Sequence, residues 1–339
     1  MAPRSNEVQL SEAWRALAGD AASSGWKTVH LIQLGEVPIL AGRQKPDDLE
    51  ALLIGFRHAR LPPPSQLPAG RGFSVEATRH PGLPNLMLLV LTRQHGARTD
   101  LFEAMAQDLI ALLGGALHEN EQTVSDSVIA RIRAWQDFMS YPRAGTLSED
   151  EEIGLHGELV VLERLLAILP DSAAVMDMWQ GPLRGLHDFK LPVGSLETKA
   201  TNSPTGFRAT ISSLEQLDLS IRSPIYLAAV RFAASNVGST LPQRVAQLRA
   251  LLSASSVEAD QSFSALLLRA GYIDAFADRY TRSLIVSELR WIEVIPDFPF
   301  LTATSVPSGV VSAQYVIDLD MRPLPTTSLT TILEAAALT

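Results

Sequence analysis

The sequence predicts an α/β (α+β) protein built from two regions. Three observations carry that prediction. Short apolar runs bounded by turn residues alternate with helix-spaced apolar stripes along the chain. A polar break, SYPRAGTLSEDEE (140–152), separates two such stretches. A long capped helix follows the break, and beyond it the pattern turns β-rich.

The elements follow in order. EVQLSEAWRALAG (7–19) reads as a short amphipathic helix, with Leu10, Trp14 and Leu17 on one face and Ser11 as a cap. Strands are expected at 27–34, 37–42 and 50–56. A Pro-rich loop (59–72) follows, then strands at 73–80 and 85–94. TDLFEAMAQDLIALLGG (99–115) has helical spacing, Thr99 as cap and Gly114-Gly115 as stop. A second helix, 123–140, buries Ile129, Ile132, Trp135 and Phe138. Ser148 with Glu151 forms a capping-box pattern that starts a long helix over 151–169. Strands are then expected near 174–180, 186–191, 195–201, 206–212 and 225–232. Helices are expected at 241–253 and 259–269, and strands near 284–295 and 310–319. Phe298 and Phe300 read as core. The expected organisation is an N-terminal α/β region (1–120), a helical connector (121–146) and a larger C-terminal domain (147–339).

Bulk composition narrows the chemistry. The chain has 339 residues, 46% of them hydrophobic and 19% charged, which is ordinary for a globular protein. It has no cysteine, so disulfides, thiolate zinc sites and cysteine nucleophiles are excluded. No long apolar run and no hydrophobic signal core is present, so a cytoplasmic protein with no membrane span is expected. The net charge of −9 argues against non-specific coating of nucleic acid. Residues 181–250 run the other way, with eight Arg/Lys against four Asp/Glu. The motifs GxxxxGK[ST], HExxH and GxSxG are absent.

That basic segment holds the chemistry-bearing stretch HDFKLPVGSLETKAT (187–201). Residues two apart on a strand share a side, so Glu197 and Lys199 project together. The LPVGS turn lets 186–191 pair antiparallel with 195–201 and sets Asp188 near Glu197. Two carboxylates at one spot repel, and burial raises their pKa values. A cation relieves both effects. Mg²⁺ suits the site, with Mn²⁺ as a substitute, because it needs only one or two carboxylates. Lys199 would activate a water or steady charge on a phosphate. The same letters would also fit a surface hairpin with a Glu–Lys pair.

The pattern Asp188, eight residues, then Glu197-Thr198-Lys199 resembles the PD-(D/E)xK nuclease superfamily, with His187 where proline is usual. A set of pieces resembles more closely a bacterial family called "PD-(D/E)xK motif protein", often encoded beside defence and restriction-modification genes. Those pieces are GLHGELVVLERLL, WQGPLRGLHDF, LETKAT, ISSLEQL, GYIDAFADRY and QYVIDLD. The resemblance implies a restriction-endonuclease-like core with a mixed central sheet flanked by helices. It implies Mg²⁺-dependent DNA cleavage in a defence or restriction-type system, or a silent DNA- or protein-binding scaffold subunit. It also implies DNA as a partner, with defence proteins such as a methyltransferase or ATPase, and a homodimer where both strands are cut.

The resemblance implies metal ligation by Asp188, Glu197 and the Thr198 carbonyl. Lys199 would activate water, and Glu158 on the long helix would assist a second metal. Gly154 and Gly157 thin that helix face for a strand to approach. Gln216 would orient the lysine or the water from the start of a helix capped by Ser212 or Ser213. The N-terminus of that helix would be a place for a phosphate. Lys190 and Arg208 are candidate DNA-backbone contacts. His156 and His187 are read as packing groups before ligands.

Overall fold

The computed structural model describes residues 5–19, 25–116, 119–140 and 145–338, with side chains from residue 10 onward. The chain divides into two compact units, Met1–Gly145 and Thr146–Thr339.

The first unit is an antiparallel sheet with helices. Its strands are β1 (Gly25–Leu34), β2 (Val37–Lys45), β3 (Leu49–Phe56), β4 (Phe73–His80) and β5 (Leu83–Arg93), in the order β1-β2-β3-β5-β4. β3 is central and buried along its whole length, apolar but for Glu50, which pairs with Arg43 and Arg93. Helices α1 (Ser5–Ala16), α2 (Thr99–Gly115) and α3 (Glu121–Met139) complete the unit. Trp14 stacks on Phe102 and donates its indole N–H to the Ala51 carbonyl at 2.8 Å. α3, expected as a connector, packs within this unit: Asp108 of α2 accepts from Arg131 and from the Trp135 indole. Two caps differ from expectation. Ser11 lies inside α1, whose first residue is Ser5, and Arg98, not Thr99, precedes α2 without a side-chain cap bond.

The second unit carries a mixed sheet, which the first does not. Its helices are α4 (Glu149–Ile168), α5 (Ser172–Met178), α6 (Leu241–Ser255), α7 (Val257–Ala270) and α8 (Leu329–Ala335). Its strands are β6 (Phe189–Lys190), β7 (Ser195–Thr201), β8 (Arg208–Ile211), β9 (Ile225–Ser239), β10 (Leu284–Glu293), β11 (Tyr315–Asp318) and β12 (Thr326–Thr327). The main sheet runs β12-β10-β9-β7-β6, and β8 pairs with β11 in a separate ribbon. β7 and β9 are parallel and the other pairs antiparallel.

Alternation on β9 separates two cores. Tyr226, Ala228, Val230 and Phe232 pack with residues of α4, α5, α6, α7 and α8. Ile225, Leu227 and Ala229 pack with Phe207, Ala209, Ile211 and Ile317 of the ribbon side. One face of the sheet is therefore helical and the other is covered by the ribbon and its loops. β7 follows the same rule. Leu196 joins the helical core, while Glu197 and Lys199, level with Leu227 and Ala229, face the ribbon side.

Three expectations for this unit are corrected. Residues 174–180 are not a strand, because Asp171 caps a helix there by accepting from the Ala173 and Ala174 N–H groups. An apolar run this short has no period that separates strand from helix. Residues 212–221 form turns rather than a helix, so Ser212 and Ser213 cap nothing and no helix N-terminus awaits a phosphate. The strand expected at 186–191 shortens to β6. Among the described residues, no helix is long and apolar enough to cross a membrane.

Candidate active site

The hairpin comes first. Leu191 donates to the Gly194 carbonyl at 3.3 Å, and the register pairs Phe189 with Leu196 and Lys190 with Ser195. Arg222 clamps the turn with bonds to the Leu191 and Gly194 carbonyls at 2.8 and 2.7 Å. Because β6 is only two residues long, the edge of β7 is open at Glu197 and Thr198. Asp188 fills that gap. Its Oδ2 accepts the Thr198 N–H at 2.7 Å, and its own N–H donates to Glu197 Oε2 at 3.3 Å. The N–H and C=O of one strand residue point to the same side, so the Thr198 carbonyl faces the Asp188 edge.

Glu197 is buried, and its Oε1 takes two donors. Lys199 Nζ lies at 2.8 Å and Gln216 Nε2 at 2.7 Å. Gln216 Oε1 accepts from Ser212 N–H at 2.9 Å and lies 3.4 Å from Lys199 Nζ. The structure brings Gln216 to Glu197 and Lys199, from a turn segment rather than the start of a helix.

Glu158 arrives from α4. Gly157 makes the approach possible, since a Cβ there would lie 2.7 Å from the Ala200 Cβ of β7. Gly154 plays no such part, because it faces open space. Glu158 Oε2 accepts the Trp179 indole N–H at 2.7 Å. Gly181 sits against both acids: a Cβ there would collide with Glu158 Oε2 and lie 2.9 Å from Asp188 Oδ1. Backbone N–H groups of Gln180 and Gly181 both donate to the Asp188 carbonyl, which holds this loop against β6.

Electrostatics follow from crowding. Desolvation, then the charges of Glu197 and Glu158, push Asp188 well above the usual carboxylate range, against the Thr198 N–H and Lys199. Burial pushes Glu158 up to about 7, with Glu197 adding to the shift and Trp179 opposing it. An anionic cluster that resists its own ionisation is what a cation would relieve.

The histidines are not with the acids as ligands. His187 is buried, and its Nε2 lies 2.7 Å from the Gln216 carbonyl. His156 is fully buried against Phe232, and burial pushes it down to about 3. Lys190 and Arg208 are exposed at the first-motif strand and the ribbon. The sequence reading missed Trp179, Gly181 and Arg222. A buried tryptophan N–H requires an acceptor, and that was the available signal for Trp179.

Residues 10–320 match the model of a family described as "Putative PD-(D/E)XK family member, (DUF4420)". The chain belongs to this family. No curated protein and no solved structure matches it. Asp188, Glu197 and Lys199 meet within one hydrogen-bonded cluster inside the matched span.

The donor set can be tested against a metal. Among the described residues, no three His, Cys, Asp or Glu side chains form a ready ligand group. Zinc sites, which take three or four protein ligands, therefore do not fit. A magnesium-type site does, because it needs one or two carboxylates and takes water for the rest. Oxygens of Glu158 and Asp188 both lie against Gly181, so these two acids converge on one backbone position and are the ones that would share such an ion.

Proposed function

We propose that this chain is a Mg²⁺-dependent DNA endonuclease of a bacterial defence or restriction-type system. The observation that carries the reading is the joining of Asp188, Glu197, Lys199 and Glu158 on one sheet edge, with Gln216 bonded to two of them. Asp188, the Thr198 carbonyl and Glu197 would hold the metal, and Glu158 would assist a second ion. Mg²⁺, when bound, lowers the pKa of its water and offsets charge on a phosphate. Lys199 has three N–H donors. One meets Glu197 and one reaches toward Gln216, so a third is left to hold the attacking water or a phosphate oxygen. Gln216 keeps the ammonium and Glu197 in register.

A second reading is a catalytically silent scaffold subunit. It is favoured by the net charge of −9 and by Glu197, whose two oxygens are both already bonded. Calorimetry with Mg²⁺ and Mn²⁺ on the wild type and on Asp188→Ala separates the two. The nuclease reading expects micromolar-to-millimolar binding that Asp188→Ala abolishes, followed by plasmid nicking that Lys199→Ala abolishes. Folded proteins that bind no metal, with or without a DNA duplex, leave the scaffold.

A further inference from the structure

We infer that His187 is a positioning residue that fixes Gln216, and through it Glu197 and Lys199, by donating its Nε2–H to the Gln216 backbone carbonyl. Its relevance to phosphate chemistry rests on the nuclease reading. The latch itself does not.

The geometry is specific. A carbonyl only accepts, so the imidazole must donate, which sets the Nε2–H tautomer. The contact is buried and spans 29 residues of chain. Gln216 stands in a turn closed by the Asp218 N–H on the Glu215 carbonyl at 3.1 Å, between buried Leu214 and Leu217. Its side chain is committed on both atoms, to Glu197 and to Ser212. These contacts place the segment, and the bond from His187 is the one made to the carbonyl of Gln216 itself.

The connection closes a ring around Glu197. Asp188 N–H holds Glu197 Oε2, while its neighbour His187 holds Gln216, whose amide holds Glu197 Oε1. Consecutive residues thus act on the two oxygens of one carboxylate, Asp188 directly and His187 through Gln216. Proline, usual at the position before the first motif aspartate in the resembling superfamily, carries no side-chain donor and could not make this link. Partners that orient metal-site groups in this way are worth roughly 10–100-fold in metal affinity when removed.

The test uses the full-length chain and NMR in the absence of metal. In the wild type, the His187 ring should show the Nε2–H tautomer with a slowly exchanging proton. An Nδ1–H tautomer would overturn the latch whether or not any variant folds. The Gln216 side-chain amide signal, assigned by its loss in Gln216→Glu, should move toward the solvent-exposed position in His187→Phe. It should return in His187→Gln, which restores a donor at similar reach. Mn²⁺ affinity measured by calorimetry should fall about tenfold in His187→Phe and recover in His187→Gln. An unmoved amide signal in a folded His187→Phe protein sinks the inference. A wild type that binds no Mn²⁺ but shows the tautomer and the amide shift sinks the nuclease reading and leaves the latch standing.

Discussion

Gly181 and Gly157 are both too crowded for a side chain, yet alanine at each should do different things. At Gly181 the new Cβ meets the far end of Glu158, and a flexible carboxylate can swing away. The fold should keep its melting temperature to within a few degrees while Mn²⁺ affinity falls about tenfold or more. At Gly157 the new Cβ meets Ala200 Cβ at 2.7 Å, which moves only with its strand. Overpacking there costs about 1–3 kcal/mol, against a helix-propensity gain of about 1. Gly157→Ala should therefore lower the melting temperature. Paired thermal melts and calorimetry check both. A Gly181→Ala protein that binds metal as the wild type does would remove the two-carboxylate cradle.

At the scale of elements, the motif hairpin depends on a residue outside it. Arg222 donates to the Leu191 and Gly194 carbonyls, charge-assisted bonds worth about 1.5–3 kcal/mol in total effect. Arg222→Ala should speed hydrogen exchange in peptides covering 189–197 by roughly 10–100-fold, with β9 and β10 unchanged. Uniform acceleration across the unit would mean that the clamp serves the whole fold instead. Elements with a clear period or cap were legible in the sequence: β4, β7 and α2 fall on their expected residues, and the Ser148–Glu151 capping box opens α4. The misses share a physical cause. Helix α5 was hidden because a seven-residue stretch with five apolar positions satisfies either period, and its Asp171 cap was the decisive local signal. The turn segment at 212–221 looked helical because serines that cap also make turns. The site's letters were readable at 188, 197 and 199, since strand alternation alone sets their side. The contacts of Trp179, Gly181 and His187 depend on long-range packing that no local pattern encodes.

At the scale of the whole molecule, the nuclease reading makes charge decide how DNA would be met. A net charge of −9 opposes a polyanion, so on that reading binding would rest on a few cations near the site rather than on the surface as a whole. Lys190 and Arg208 are exposed, one beside Asp188 on β6 and the other at the start of the ribbon strand β8. An interface that neutralises three or four phosphates gives a slope of log K against log salt of about −3 on duplex DNA. Lys190→Ala and Arg208→Ala should each make that slope shallower by about 0.9, and should weaken binding evenly across sequences because phosphate contacts carry no base information. Fluorescence anisotropy over a salt series, with divalent ion held fixed, reads both quantities. Divalent ion should also strengthen binding in the wild type more than in Asp188→Ala, since the acids repel the phosphate until a cation offsets them. Unchanged slopes in both variants would place the DNA contact away from the β6 and β8 edge, and a slope several times steeper would mean that the acidic surface is not what the nucleic acid meets.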